Sequence, residues 1–148
     1  MVLTRKPKTK RRKQASLSTL RKKAWTLFSK HVRYEGEDPH SIYMTQCVTC
    51  GVVLPSAEMH AGHFIHCSKQ SRLSYDERNV HPQCRQCNYY GMQGQAAIRY
   101  TMYMIDHYGP GIVAELLEIK HSKEYLKRAD LEEIIEKYSS LTSSSKSV

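Results

Sequence analysis

No apolar run in the 148-residue chain is long enough to span a bilayer. Nor does an apolar stretch follow the basic N-terminus, as a secretion signal would require. These absences predict a soluble, cytoplasmic protein that is not held in a membrane. A third absence is of one charge sign. Residues 1–34 contain no Asp or Glu and twelve Lys or Arg. The rest of the chain sets eleven Lys or Arg against all fourteen acids. The formal net charge of +9 is therefore an N-terminal property. It favours a polyanionic partner without naming one. Residues 5–13, RKPKTKRRK, cannot bury a core and read as part of a disordered basic arm over 1–15. Such an arm displaces counterions from phosphates. Arg11, Arg12 and Lys13, with Arg21, Lys22 and Lys23 beyond them, are the candidate DNA contacts.

What is present divides into a small cysteine-rich core and helices. SLSTLRKKAWTLFSKHVRY has helical spacing over 18–33, with Leu20, Ala24, Leu27 and Phe28 on one face and Ser18 as N-cap. EGEDPHS reads as a loop. Residues 43–88 hold every cysteine, and short β-prone pieces at 43–48, 52–54 and 59–66 predict a small hairpin. A core of that size needs a staple. From about Asn88 to His107 the pattern is helical, with Ile98, Met102 and Ile105 predicted as its apolar face. Gly109 and Pro110 end that helix. GIVAELLEI forms a short helix, and a last one starts at Asp130, with Glu133 in a D-x-x-E cap and Leu131, Ile134, Ile135 and Tyr138 as its stripe. The fold class expected is α+β: a zinc-stabilised core at 43–95 inside one domain over 16–140, with flanking helices. Residues 139–148 read as a frayed tail, and there is no internal repeat.

Cys47-Val-Thr-Cys50 and Cys84-Arg-Gln-Cys87 are two C-x2-C pairs separated by 33 residues. Each pair turns two thiolates toward one point, and two pairs complete a tetrahedron around Zn²⁺. Disulfides suit a secreted chain, and a redox C-x-x-C needs only one pair. A four-thiolate site is closed, so this zinc would hold the fold and do no chemistry. Cys67 is left over, as a free thiol or a spare ligand.

Histidines and asparagines crowd the same region. Cutting a phosphodiester with one divalent metal needs a base for water, a cation on the phosphate, and a group that aims the base. His63 can be the base and Asn79 can orient it. His60, Asn88 and His81 are available as ligands for Mg²⁺ or Mn²⁺.

The order His63, Asn79, Asn88 resembles the signature of HNH, or ββα-metal, nucleases. As in that family, Asn79 lies five residues before Cys84 and Asn88 directly follows Cys87. A closer resemblance is to the NinG (Rap) recombination proteins of lambdoid phages. It rests on CVTCG, AGHF, LSYDERNVHPQCRQCN and YMIDHYG, and runs from about Leu20 to Tyr138. It implies a structure-selective endonuclease for Holliday junctions and other branched DNA. It also implies 5′-phosphate and 3′-hydroxyl ends, and a homodimer making paired cuts.

The chain departs from these families at named positions. Gly62 stands where many HNH sites have a ligating Asp. His60 stands where NinG-like proteins have an acid. No Lys follows Asn88 closely, and an N-terminal zinc-ribbon-like segment has no counterpart in these residues. Two other readings use the same residues: a non-catalytic zinc module that binds nucleic acid, and a general HNH nickase of duplex DNA.

Overall fold

The computed structural model describes residues 13–34 and 43–144. The expected arm over residues 1–12, including Arg11 and Arg12, and the EGEDPHS loop lie outside the described residues. So does the end of the tail from 145. In order come helix α1 (Leu17–Tyr34) and strands β1 (Met44–Gln46), β2 (Val53–Pro55), β3 (His60–His63) and β4 (Val80–Gln83). Helices α2 (Gln95–Tyr108), α3 (Ile112–His121) and α4 (Arg128–Ser144) complete the chain. The architecture is mixed α and β with two small antiparallel sheets.

Helix α1 begins one residue earlier than the sequence suggested. Ser16, not Ser18, caps it: its Oγ accepts the Thr19 amide at 3.1 Å. The buried residues of α1 are Ala24, Phe28 and Val32, which recur every four positions. α4 starts at Arg128, so Asp130 lies inside the first turn. From there its Oδ2 reaches back to the Lys127 amide at 2.7 Å, the returning half of a capping box. α4 also continues through Ser144, into residues read from sequence as frayed tail. Leu131 and Tyr138 pack against α1 as the stripe foretold, with Ile134 and Ile135 partly buried beside them.

β1 and β2 form one hairpin. β3 does not join it but pairs with β4, His60 opposite Gln83, Gly62 opposite His81 and His63 opposite Val80. Side chains alternate along a strand, so this second hairpin has two distinct faces. One face meets α1 and α4 through Phe28, Val32, Val80 and Tyr138. Burying each large apolar side chain there contributes about 1.5–3 kcal/mol. The other face meets α2.

That helix corrects the sequence reading. Its buried stripe is Ala96, Tyr100 and Met104, whereas Ile98 and Met102 are 64% and 59% exposed, with Ile105 exposed beside them. Both stripes fit helical spacing. Hydrophobicity favours the wrong one because Tyr100 reaches the core through its hydroxyl, which donates to the Gly62 carbonyl at 2.9 Å. α2 also begins at Gln95, not Asn88. A π-helical turn over Gln86–Gly91 precedes it. At its C-terminus Gly109 takes φ +94° and its amide bonds the Ile105 carbonyl, as the sequence implied.

Candidate functional site

The cysteine centre is built by two knuckles at strand ends. After β1, the Gly51 amide bonds the Cys47 carbonyl and the Cys47 amide bonds the Val52 carbonyl, both at 2.9 Å. Gly51 makes that turn at φ +78°, where other residues are strained. After β4, the Cys87 amide points at Cys84 Sγ at 3.5 Å. The four Sγ atoms of Cys47, Cys50, Cys84 and Cys87 lie within 4.8 Å of one another, and Cys50 and Cys84 are 3.8 Å apart. A tetrahedron with Zn–S bonds of about 2.3 Å has edges of about 3.8 Å. None of the cysteines is in a disulfide. Burial pushes the Cys87 and Cys50 thiols up. Burial also opposes ionisation of Cys47, but the Cys50, Cys84 and Thr49 amides outweigh it. Four thiolates in so small a volume call for a cation, and the donor set suits zinc. Cys67 stands apart, 3.4 Å from Ser74 Oγ.

Asn88, directly after Cys87, is delivered by this centre. Its amide N–H bonds the Cys84 carbonyl at 3.0 Å. Its side-chain amide meets His60 Nδ1 at 3.2 Å. Turned over, that amide would offer Oδ1 beside the imidazole nitrogen. His60 opens onto a cleft of about 440 Å³ that it lines with Arg85, Tyr89 and Tyr90. The four cysteines are the only cluster of three or more His, Cys, Asp or Glu ligands among the described residues. His60 and Asn88 thus stand as a pair.

Gly62 has a packing reason. A Cβ there would collide with Oε1 of Gln83. Gln83 is fully buried, and its Nε2 is tied to Thr49 Oγ1 at 2.7 Å, so it cannot readily withdraw. An aspartate therefore has no room at this position.

His63 belongs to other contacts. It lies three residues after His60, an odd step that turns it to the α1 face. There its ring stacks on Trp25 at 5.3 Å and an interplanar angle of 12°. Its Nε2 is 3.2 Å from the Ser74 carbonyl, which can only accept. The proton is therefore on Nε2, and Nδ1 carries the lone pair. Burial lowers its pKa, with the nearby His66 adding to the effect against the Ser74 hydrogen bond. The neutral form of the ring is thereby favoured.

Asn79 does not touch His63. It is fully buried, its Oδ1 accepting the Ile65 amide at 2.8 Å and its Nδ2 donating to the Ile65 and Leu73 carbonyls at 3.0 and 3.2 Å. It clamps the loop between β3 and β4, which carries Ser74. The Ser74 carbonyl of that loop is the group that meets His63 Nε2.

Both ring nitrogens of His81 are committed. Tyr100 gives its proton to Gly62, so its oxygen accepts from His81 Nδ1 at 2.9 Å. Nε2 then accepts from the Tyr108 hydroxyl at 2.7 Å. Burial first, and then His107, lowers the His81 pKa to about 4. No lone pair remains for a cation. Of the sequence candidates for the cation, the structure brings together His60 and Asn88.

Lys13, Lys22 and Lys23 are exposed, as a phosphate-binding surface requires, while Arg21 is half-buried. Sequence reasoning missed Trp25, Ser74, Gln83 and Arg85 as neighbours of the site. The Tyr89–Tyr90 doublet after Asn88 was the visible signal for the cleft wall.

A profile of the family described as bacteriophage lambda NinG protein matches residues 3–147. The chain belongs to the NinG family. It is 34% identical over 77 residues to protein ninG of Escherichia phage 933W, covering 52% of this chain and 36% of that one. Over 70 residues it is 34% identical to protein ninG of Salmonella phage P22, covering 47% and 33%. It is 32% identical over 77 residues to that of Escherichia phage lambda, covering 52% and 36%. The matches thus span about a third of the length of these NinG relatives. No solved structure matches the chain. Among the described residues no helix is long and apolar enough to cross a membrane.

Proposed function

We propose that this NinG-family chain is a metal-dependent endonuclease for branched DNA in phage recombination, with β3, β4 and α2 as a ββα-metal core. One observation carries the reading. His60 of β3 meets Asn88 on the cysteine-anchored turn, while at the other end of β3 His63 turns Nε2 to the Ser74 carbonyl and leaves its lone pair on Nδ1.

Among the described residues β3 has a strand partner on one side only. A phosphodiester crossing its open edge reaches both faces of the strand. His63 Nδ1 takes the proton of the attacking water, and Ser74 steadies the imidazolium through Nε2–H. His60 Nδ1 and Asn88 Oδ1 would hold the divalent cation. When bound, that cation supplies charge stabilisation for the phosphorane and the departing 3′ oxygen. Trp25 and Asn79 are positioning residues: one fixes the ring plane, the other the Ser74 loop. Lys13, Lys22 and Lys23, with Arg11, Arg12 and Arg21, would grip phosphates, contacts that carry shape and not sequence. Products would carry 5′-phosphate and 3′-hydroxyl ends. Paired cuts across a four-way junction call for two copies. The site of action would be the cytoplasm of the phage's host.

The test is cleavage of a labelled four-way junction beside linear duplex of the same sequence, with Mg²⁺ or Mn²⁺. Cutting confined to the junction supports the reading. Equal cutting of both would make the protein a general nickase. Tight binding with no cutting under either metal would make it a non-catalytic zinc module.

A further inference from the structure

Tyr89 and Tyr90 follow Asn88 on the π-helical turn and are 65% and 68% exposed. Two adjacent tyrosines so exposed are not core. The turn itself is firmly set: Gly91 packs so tightly on Ala96 that a Cβ would come within 2.5 Å of the Ala96 Cβ. The doublet therefore stands on a fixed base. The Tyr89 and His60 rings meet at right angles, with centroids 5.1 Å apart and an interplanar angle of 88°. The two tyrosine rings are 6.4 Å apart and tilted by 56°, so they do not stack on each other. Each offers a separate flat surface. Arg85 lines the same cleft and is exposed.

We propose that Tyr89 and Tyr90 form a stacking platform for unpaired nucleobases of branched DNA, with Arg85 on the adjoining phosphate. The inference rests on the nucleic-acid reading above and says which part of the substrate this cleft takes. Three observations select this occupant. Flat exposed rings suit bases, because every base has a π face. The cationic side chain of Arg85 beside them suits a phosphate. The platform adjoins the His60–Asn88 pair, so a base held on it places its own phosphate near those groups. Paired bases have both faces covered by neighbours, and only bases splayed at a branch or bulge can gain by stacking here. The platform would therefore let the protein distinguish branched from continuous DNA without reading sequence.

The experiment uses the full zinc-loaded chain with Ca²⁺ in place of Mg²⁺ or Mn²⁺. DNA carries 2-aminopurine at the centre of a four-way junction, or at the equivalent position in a linear duplex. Binding and fluorescence are measured for wild type, Tyr89→Ala/Tyr90→Ala and Tyr89→Phe/Tyr90→Phe. The platform predicts that the alanine pair loses about 10- to 100-fold in junction affinity while duplex affinity holds. It also predicts that the phenylalanine pair behaves as wild type, and that the 2-aminopurine signal changes only where rings are present. Junction affinity unchanged by the alanine pair would overturn the platform, as would an equal loss on junction and duplex. Wild type that binds neither DNA would instead overturn the nucleic-acid reading itself, and the platform with it. A second measurement is independent of any variant. Photocrosslinking from 5-bromodeoxyuridine at the junction centre should label the 88–93 segment, and labelling confined to other segments would overturn the proposal.

Discussion

The β3–β4 hairpin has one face closed by aromatic packing and one face held by polar contacts and sulfur. On the α1 side, Trp25 stacks on His63, Phe28, Tyr75 and Tyr138 pack with Val80, and burial lowers the imidazole pKa. On the other side, Gln83, His81 and Tyr100 fill the space by hydrogen bonding, and the cysteines pin the turn that carries Asn88. The first face can hold a proton acceptor because apolar packing excludes charge. The second holds His60 against Asn88 on a turn anchored by the cysteine cluster and not by a large core. A single strand carries both environments because its side chains alternate.

Removing zinc should break the comparison most strongly. Metal binding supplies about 10 kcal/mol or more in small sites of this kind. Chelation or Cys84→Ser should therefore unfold the β1–β2 knuckle and the turn bearing Asn88, while α1 and α4 keep their packing. Circular dichroism retaining much of its helical signal, beside loss of bound zinc, would show that asymmetry.

Asn79→Ala acts on both faces through the loop. It leaves the Ile65 amide and two carbonyls without partners. The expected cost is about 4 kcal/mol, read by urea denaturation.

The His81 network should make the polar face acid-sensitive. His81 faces Tyr100, Tyr103, Tyr108, His107 and Asp76. Its folded pKa of about 4 lies below the unfolded value of 6.5, so the unfolded chain binds the extra proton. Stability is unaffected by this group above pH 6.5 and falls as pH drops through 6.5 to about 4. The loss is about 3 kcal/mol at about 1.4 kcal/mol per pH unit. Denaturation midpoints across that range should show it, and His81→Phe should flatten the dependence.

Gly62→Asp introduces an acid where Gln83 leaves no room and is the smallest of these effects. It should cost about 2 kcal/mol because Gln83 must move. Shortening Gln83 to Ala in the same chain should recover part of that loss in thermal unfolding.

Much of this was legible in the sequence. The paired C-x2-C spacing located the sulfur cluster, because geometry at that motif is local. The Leu131–Tyr138 stripe and the Gly109 stop were legible for the same reason. The buried face of α2 was not, because Tyr100 is buried through hydrogen bonds that no hydrophobicity pattern records. β4 was placed beside β3 only as a segment, since its pairing spans a loop held by Asn79. His81 looked like a ligand because its partners, Tyr100 and Tyr108, arrive from a helix distant in sequence. Gly62 looked like a missing ligand until Gln83 was seen to fill its place.

In the proposed mechanism His63 takes the proton and His60 with Asn88 holds the cation. The most direct measurement is Mn²⁺- or Mg²⁺-dependent cutting of a labelled four-way junction by wild type, His63→Ala and His60→Ala. Zinc content and junction binding are checked in each. The account predicts that both variants bind zinc and junction as wild type does and lose cutting by about 100-fold or more. Cutting by His63→Ala at the wild-type rate would contradict it.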